Sequence, residues 1–266
     1  MQRPDWAPVY VDMDRPNLAR MHDYFLGGAH NFAVDREAAG ELARAYPEAA
    51  AAFRGNRSFL RRAVGHLVNA GIDQFLDLGA GIPTVGSVHE IAQRGNPDAR
   101  VAYVDIDPVA VAHSRTILRG NPNAIAVRAD LRQPESILDH HDVRALLDLD
   151  RPIAALMIGV LHFVPDSDDP AGILAGYRRA MASGSYLVIS HGSQEAASRT
   201  ADKPVESVTA IYQHAHTPVA LRTRAEITKL FDGLRLVPPG LVPSAQWHPD
   251  SNHEPAPAFV GVGQAP

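Results

Sequence analysis

The chain has 266 residues, 45% of them hydrophobic and 21% charged, enough to bury a core as one large domain or one domain with an added cap. Its formal net charge is −5, from 30 acidic and 25 basic residues with no Lys or Arg block, so counterion release offers little to nucleic-acid affinity. Cysteine is absent, which excludes disulfides, thiolate metal sites and a cysteine nucleophile; with no apolar leader core and no run of the roughly 18 apolar residues a membrane span needs, the expectation is a cytoplasmic protein with neither membrane nor nucleic acid as partner.

Up to residue 70 the pattern is helical, with helices predicted over 17–25, 34–45 and 48–68. Residues 1–70 read as an N-terminal helical cap rather than a separate domain. The loop at 27–32 is polar and glycine-rich, of a kind that closes over a site or simply turns between helices. From 74 to 191 short apolar runs alternate with helical patterns, the signature of a parallel sheet covered by helices. Strands are predicted at 74–78, 100–105, 124–128, 153–158 and 186–190, and helices at 85–94, 108–118 and 170–181. Asp169 can cap the last helix, and Pro170 suits its first position. Thr223 and Glu226 form a capping-box pattern that opens a helix to about residue 230. Late runs at 234–237 and 259–262 bring the strands to seven, with the proline-rich stretch 238–257 as an irregular excursion between them. The core therefore covers 71–266, an α/β doubly wound, mostly parallel sheet with helices on both faces.

The most informative stretch is Asp77-Leu78-Gly79-Ala80-Gly81, directly after the first strand. Glycines there let the backbone turn tightly and approach a ligand. Asp105 ends the second strand 24 positions beyond Gly81, about where a doubly wound fold places the acid that accepts hydrogen bonds from a ribose. Asp107 is the competing acid, but Pro108 follows it, so it reads as a helix cap. The third glycine of the dinucleotide fingerprint is missing, since Ile82, Pro83 and Thr84 follow Gly81. That pattern favours S-adenosylmethionine, a sulfonium nucleoside without phosphates, over NAD.

Together, Arg20 to Gly28 (Arg-Met-His-Asp-Tyr-Phe-Leu-Gly-Gly), Asn31 to Glu37 (Asn-Phe-Ala-Val-Asp-Arg-Glu), Asn56 to Arg62, Asp77 to Thr84 and Leu161 to Asp166 resemble a family of S-adenosylmethionine-dependent methyltransferases first catalogued as a domain of unknown function. The resemblance covers residues 10 to 262. It implies a class I, Rossmann-like seven-stranded core, a helical cap and S-adenosyl-L-methionine as cofactor, and no particular acceptor. By resemblance Asp77 lies beneath the amino-acid part of the cofactor and orients its ammonium, with a turn cap as the alternative. Ala80 and Ile106 accompany the glycines and Asp105. Asp130, with Leu131 beside it, matches the carboxylate and backbone amide that meet adenine, with a helix-capping role as its rival. Gly159 and Val160 open the segment that runs beside the sulfonium. From the cap, Tyr24, Gly28, Asn31 and Arg57 are expected near the methionine end, where Arg57 can bind the cofactor carboxylate bidentately; Asn56 is an equal candidate.

A general base is needed only where the acceptor must lose a proton. His162 and His191 follow strands at the edge where such folds bind ligands, and either can serve as that base or as pocket lining. Tyr212, with His162 a candidate catalytic side chain, falls with His214 and His216 in a segment that can wall the acceptor. No metal site is expected, because His140-His141 and His214-x-His216 lack a convergent third ligand. The expected function is methylation of a small molecule, such as a secondary metabolite. The alternatives are a regulatory protein that binds S-adenosylmethionine or S-adenosylhomocysteine without turnover, and a nicotinamide-dependent oxidoreductase. Absence of the Asn/Asp-Pro-Pro-aromatic motif argues against a nucleobase acceptor.

Overall fold

Five short strands, each with most of its residues buried, form the middle of the computed structural model, which describes residues 12–84, 86–197, 219–252 and 254–266. They are β1 (Gln74–Leu78), β2 (Arg100–Asp105), β3 (Ala124–Arg128), β4 (Ala154–Ile158) and β5 (Tyr186–Gly192). All are parallel, and β8 (Ala258–Gln264) runs antiparallel to β5, with His191 opposite Phe259. The order is β3-β2-β1-β4-β5-β8, with β6 (Arg235–Leu236) beyond β8. Strand order reverses between β1 and β4, and ligands of such sheets bind beyond the carboxyl ends of the strands at that reversal.

The sheet has eight strands rather than seven. Both β6 (Arg235–Leu236) and β7 (Val242–Pro243) pair with β8, so two short pieces share one edge. The pair Pro238-Pro239 sits between them and has no N–H to continue the ladder. Part of the stretch read as irregular is therefore a second length of edge strand.

Helix starts follow the local signals. In α5 (Pro108–Ile117) Asp107 Oδ1 accepts from the amides of Val109 and Ala110 at 2.6 and 2.9 Å, so Asp107 is the cap. α8 (Pro170–Ala180) has the Asp169 cap, and the helix at Arg224–Lys229 has its Thr223–Glu226 capping box. The helix expected over 85–94 begins at Val88, after a Ser87–Glu90 capping box; Val85 lies outside the described residues. Two short helices between β3 and β4, α6 (Pro134–Leu138) and α7 (His141–Leu146), had no sequence counterpart. Each is one or two turns long, too short for a helical period to show.

The N-terminal segment contributes α1 (Leu18–Phe25), α2 (Ala33–Ala45) and α3 (Ala49–Asn69). Phe59, Ala63, Val64 and Leu67 of α3 recur at helical spacing and pack on the sheet with Phe75, Tyr103, Leu156 and Val262. α3 thus covers the core as much as it belongs to the cap. It is also tied to the stretch before β8: Arg62 donates to the carbonyls of Trp247 (3.0 Å) and Ser244 (2.7 Å), and Arg61 grips Asp250 with both nitrogens. A side chain at Gly55 would run into the Pro255 carbonyl. Only α1, α2 and the start of α3 form a cluster of their own.

Candidate functional site

A cavity of about 550 Å³ opens where β1, β2, β4 and β5 end and is roofed by the three N-terminal helices. The turn after β1 is pinned to the end of β2, with Gly79 and Ala80 amides donating to the Val104 carbonyl at 2.9 and 3.1 Å. Gly79 and Gly81 have φ of +72° and +63°, a region that L side chains avoid. A Cβ at Gly79 would collide with Val160, whereas one at Gly81 would meet only Ala19 Cβ at 4.0 Å. One glycine permits close packing of two cavity walls, and the other keeps the floor open.

Asp105 holds the same turn from the side. Its Oδ2 accepts from the Gly81 amide at 2.7 Å and its Oδ1 from the Asp107 amide at 2.8 Å. A carboxylate oxygen can accept more than one bond, so both retain capacity toward the cavity. Burial raises its pKa to about 6 against the pull of those two amides. Asp77 is buried near the end of β1, its carboxylate without a hydrogen bond to another described residue, and burial raises its pKa to about 7 despite Arg57. The Arg57 guanidinium likewise makes no hydrogen bond among the described residues; burial lowers its pKa, and Asp77, Tyr103 and Glu90 hold it up. One unpaired guanidinium and two carboxylates along one cavity can hold a ligand bearing a carboxylate, an ammonium and a vicinal diol.

The other expected residues divide. Ala80, Ile106, Asp130, Leu131, Gly159, Val160 and His162 line the cavity. Leu131 is pinned by Tyr177, whose hydroxyl donates to its carbonyl at 2.8 Å. Asp130 is gripped by Arg132 at 2.6–3.0 Å, which holds its pKa below the usual carboxylate value, and Arg132 also reaches Asp168 at 2.8 Å. Tyr24, Gly28 and Asn31 are not in the lining. Tyr24 is 40% exposed, Asn31 Nδ2 donates to Asp23 Oδ2 at 2.9 Å, and a side chain at Gly28 would overlap the Asp23 carboxylate. Gly28 and Asn31 build the loop between α1 and α2 around the buried Asp23, and Tyr24 lies in the last turn of α1 beside Phe25. The cap instead brings Leu18, Ala19, His22, Phe53, Asn56 and Arg57 to the cavity. Asn56 Oδ1 accepts from the Ser190 hydroxyl, bracing α3 against β5. Tyr212, His214 and His216 lie outside the described residues.

The two strand-end histidines differ. Arg222 Nη1 lies 2.9 Å from His191 Nε2, and since arginine can only donate, that nitrogen accepts. The proton is then on Nδ1, which donates to the Gly192 carbonyl at 2.7 Å. With both nitrogens committed and burial lowering its pKa to about 4, His191 is a structural group. His162 faces the cavity with its pKa pushed down to about 3 by burial, His191 and Arg222.

Arg222 had no sequence signal, because its partners are 31 to 61 residues away. It donates to the carbonyls of Leu161 (3.0 Å) and Val164 (2.8 Å) and to Asp166 (2.6 Å), fixing the loop that carries Val160 and His162. Arg222→Met should cost about 3 kcal/mol in urea denaturation, since buried acceptors lose their donor; an unchanged midpoint would refute that role.

Residues 4–265 match the family described as S-adenosyl methyltransferase. No curated protein matches the chain. Among solved structures, a DUF574 family protein from Streptomyces avermitilis is 40% identical, with a TM-score of 0.89 over 96% of this chain and 99% of that one. A protein from Thermobifida fusca, assigned as a methyltransferase, is 38% identical, with a TM-score of 0.90 over 98% and 99%. Human N-acetylserotonin methyltransferase, solved with S-adenosylmethionine, is 15% identical over 94% of this chain and 63% of its own; its TM-score of 0.51 marks a likeness of fold. With its family match running nearly end to end, the chain belongs to the S-adenosyl methyltransferase family and is an S-adenosyl-L-methionine-dependent methyltransferase.

Proposed function

We propose that the methyl acceptor is a small molecule bound in the same cavity as the cofactor, and that Arg57, Asp77 and Asp105 hold the cofactor's carboxylate, ammonium and ribose hydroxyls in that order. The carrying observation is the Arg57 guanidinium, without a hydrogen bond among the described residues, set against Asp77 in a cavity that also contains Asp105. Ile106, Leu131 and Val160 supply apolar contact for the adenine, and Asp130 shares its carboxylate between the adenine amino group and Arg132. When bound, the cofactor supplies a methyl group already activated on a sulfonium.

The chain's own work is then alignment and exclusion of water, and positioning contributes roughly 7–11 kcal/mol in well-oriented systems. Gly79 and Gly81 let the backbone come close, and Asn56 and Ser190 brace the wall beside them. His162, neutral at pH 7 with a pKa of about 3, orients an acceptor by hydrogen bonding and is too weak a base to take a hydroxyl proton. Tyr212 remains in this reading as a wall residue of the acceptor.

Tritiated cofactor incubated with a fractionated cell extract should label the low-molecular-mass fraction. Label confined to protein or RNA would overturn the small-molecule acceptor. Arg57→Met should weaken S-adenosylhomocysteine binding by about tenfold or more, as expected for loss of a charged hydrogen-bonded pair. Adenosine, which lacks the carboxylate, should bind the variant and the parent alike; a parallel loss for adenosine would place Arg57 in folding instead.

A further inference from the structure

The cavity extends past the charged groups at the sheet edge and continues among the N-terminal helices, where Leu18, Met21, Leu42, Tyr46, Ala52 and Phe53 line it. Met21, Leu42, Tyr46 and Ala49 form the cap's own hydrophobic cluster, separate from the two clusters on either face of the sheet. Phe53 stacks on Phe25 with ring centroids 4.8 Å apart, and His22 meets it edge-on at 5.1 Å. The wall is an interlocked aromatic and aliphatic surface, and rings of this kind favour offset-stacked and edge-to-face contacts.

Charge is segregated. Among the described lining residues, Asp77, Asp105, Asp107, Asp130 and Arg57 carry it, and each has an assignment: Asp107 caps α5, Asp130 is held by Arg132, and the other three form the cofactor set. Of the uncharged polar lining residues, Asn17 caps α1 and Asn56 pairs with Ser190, which leaves His22, His162 and Ser193. Burial keeps both imidazoles neutral. The Ser193 hydroxyl is buried without a hydrogen-bond partner among the described residues, a state that a ligand's polar atom would relieve.

We propose that this apolar compartment receives the methyl acceptor, and that the acceptor is a neutral molecule with an aromatic body and one polar end met by Ser193 and His162. The proposal rests on the reading that the sheet-edge half holds the cofactor. A carboxylate entering the compartment would lose its hydration against hydrocarbon, with Arg57 already engaged. A cationic acceptor would meet that same guanidinium as a like charge.

The full chain, saturated with S-adenosylhomocysteine, is titrated calorimetrically with 2-naphthol and with 2-naphthoate, which carries a carboxylate on the same ring system. 2-Naphthol should bind, and 2-naphthoate should bind at least about tenfold more weakly. Ala52→Phe, filling the compartment from α3, should lower 2-naphthol affinity by about tenfold or more while S-adenosylhomocysteine affinity stays within about twofold. Phe53→Leu, gentler on folding, should lower 2-naphthol affinity several-fold with the same cofactor control. Equal affinity for the two probes, no 2-naphthol binding to protein that binds S-adenosylhomocysteine, or insensitivity to both substitutions overturns the proposal. Failure of S-adenosylhomocysteine itself to bind shows in the first titration and overturns the cofactor reading, and this one with it.

Discussion

Asp105→Ala should weaken S-adenosylhomocysteine binding by roughly a hundredfold or more, because each hydrogen bond to a charged acceptor contributes about 1.5–3 kcal/mol and two ribose hydroxyls are at stake. A second effect acts in the same direction. The Gly81 amide donates to Asp105 at 2.7 Å and the Asp107 amide at 2.8 Å, so the carboxylate also holds the turn that floors the cavity. The fold should survive, since burial raises the Asp105 pKa to about 6, which marks the charge as a cost to the free protein at neutral pH. Asp105→Asn, which keeps an acceptor but not the charge, should fall between the two. Calorimetry showing unchanged affinity for the alanine variant would remove the ribose assignment.

The free protein should lose about 3.5 kcal/mol of its stability between pH 6.5 and pH 5. Burial lowers His22 and His162 to a pKa of about 3 and His113 and His191 to about 4. A histidine with a depressed folded pKa stabilises the native state above its unfolded value of about 6.5, and that contribution is lost as pH falls toward the folded value. Between pH 6.5, where the unfolded histidines are half protonated, and pH 5, four such groups cost about 6.5 kcal/mol. Two carboxylates oppose them. Asp77 and Asp105, raised to about 7 and 6, take up protons in the folded state before the unfolded chain does, and this returns about 3 kcal/mol over the same interval. The balance is a loss of about 3.5 kcal/mol, a large fraction of the roughly 5–15 kcal/mol that holds a domain folded. Urea denaturation at pH 8, 7, 6 and 5 measures it, and a midpoint that climbs toward pH 5 would mean that the carboxylates dominate.

Much of this molecule was legible residue by residue. Strand β1 sits at 74–78 and β2 at 100–105, as read, because continuous apolar runs flanked by turn residues have few other places to go. Asp107, Asp169 and Thr223 cap the helices they were expected to cap, since capping is decided within four residues of chain. Asp105 and the glycines were readable for the same reason: a tight turn and the end of a strand are local geometries. Where signals were short, reading failed, as at the brief helices α6 and α7 and the two-residue strand β7.

Contacts between distant segments lay beyond that reach. Tyr24, Gly28 and Asn31 carry distinctive wording in the cap, yet Gly28 and Asn31 serve the loop around Asp23, because a buried carboxylate requires donors wherever the chain can bring them, and Tyr24 lies exposed beside Phe25. His191 looked as free as His162 until Arg222 arrived from beyond β5 to occupy one nitrogen and set the proton on the other. Apolar runs, periodicity and capping thus marked out the α/β frame, and short motifs carried the resemblance to the family, all of which depend on neighbours along the chain. Packing alone settled which histidine faces the cavity, that α3 serves sheet and cap together, and that the cavity's extension among the N-terminal helices is lined by hydrocarbon, because burial and hydrogen-bond partners are properties of the folded surface rather than of any window of sequence.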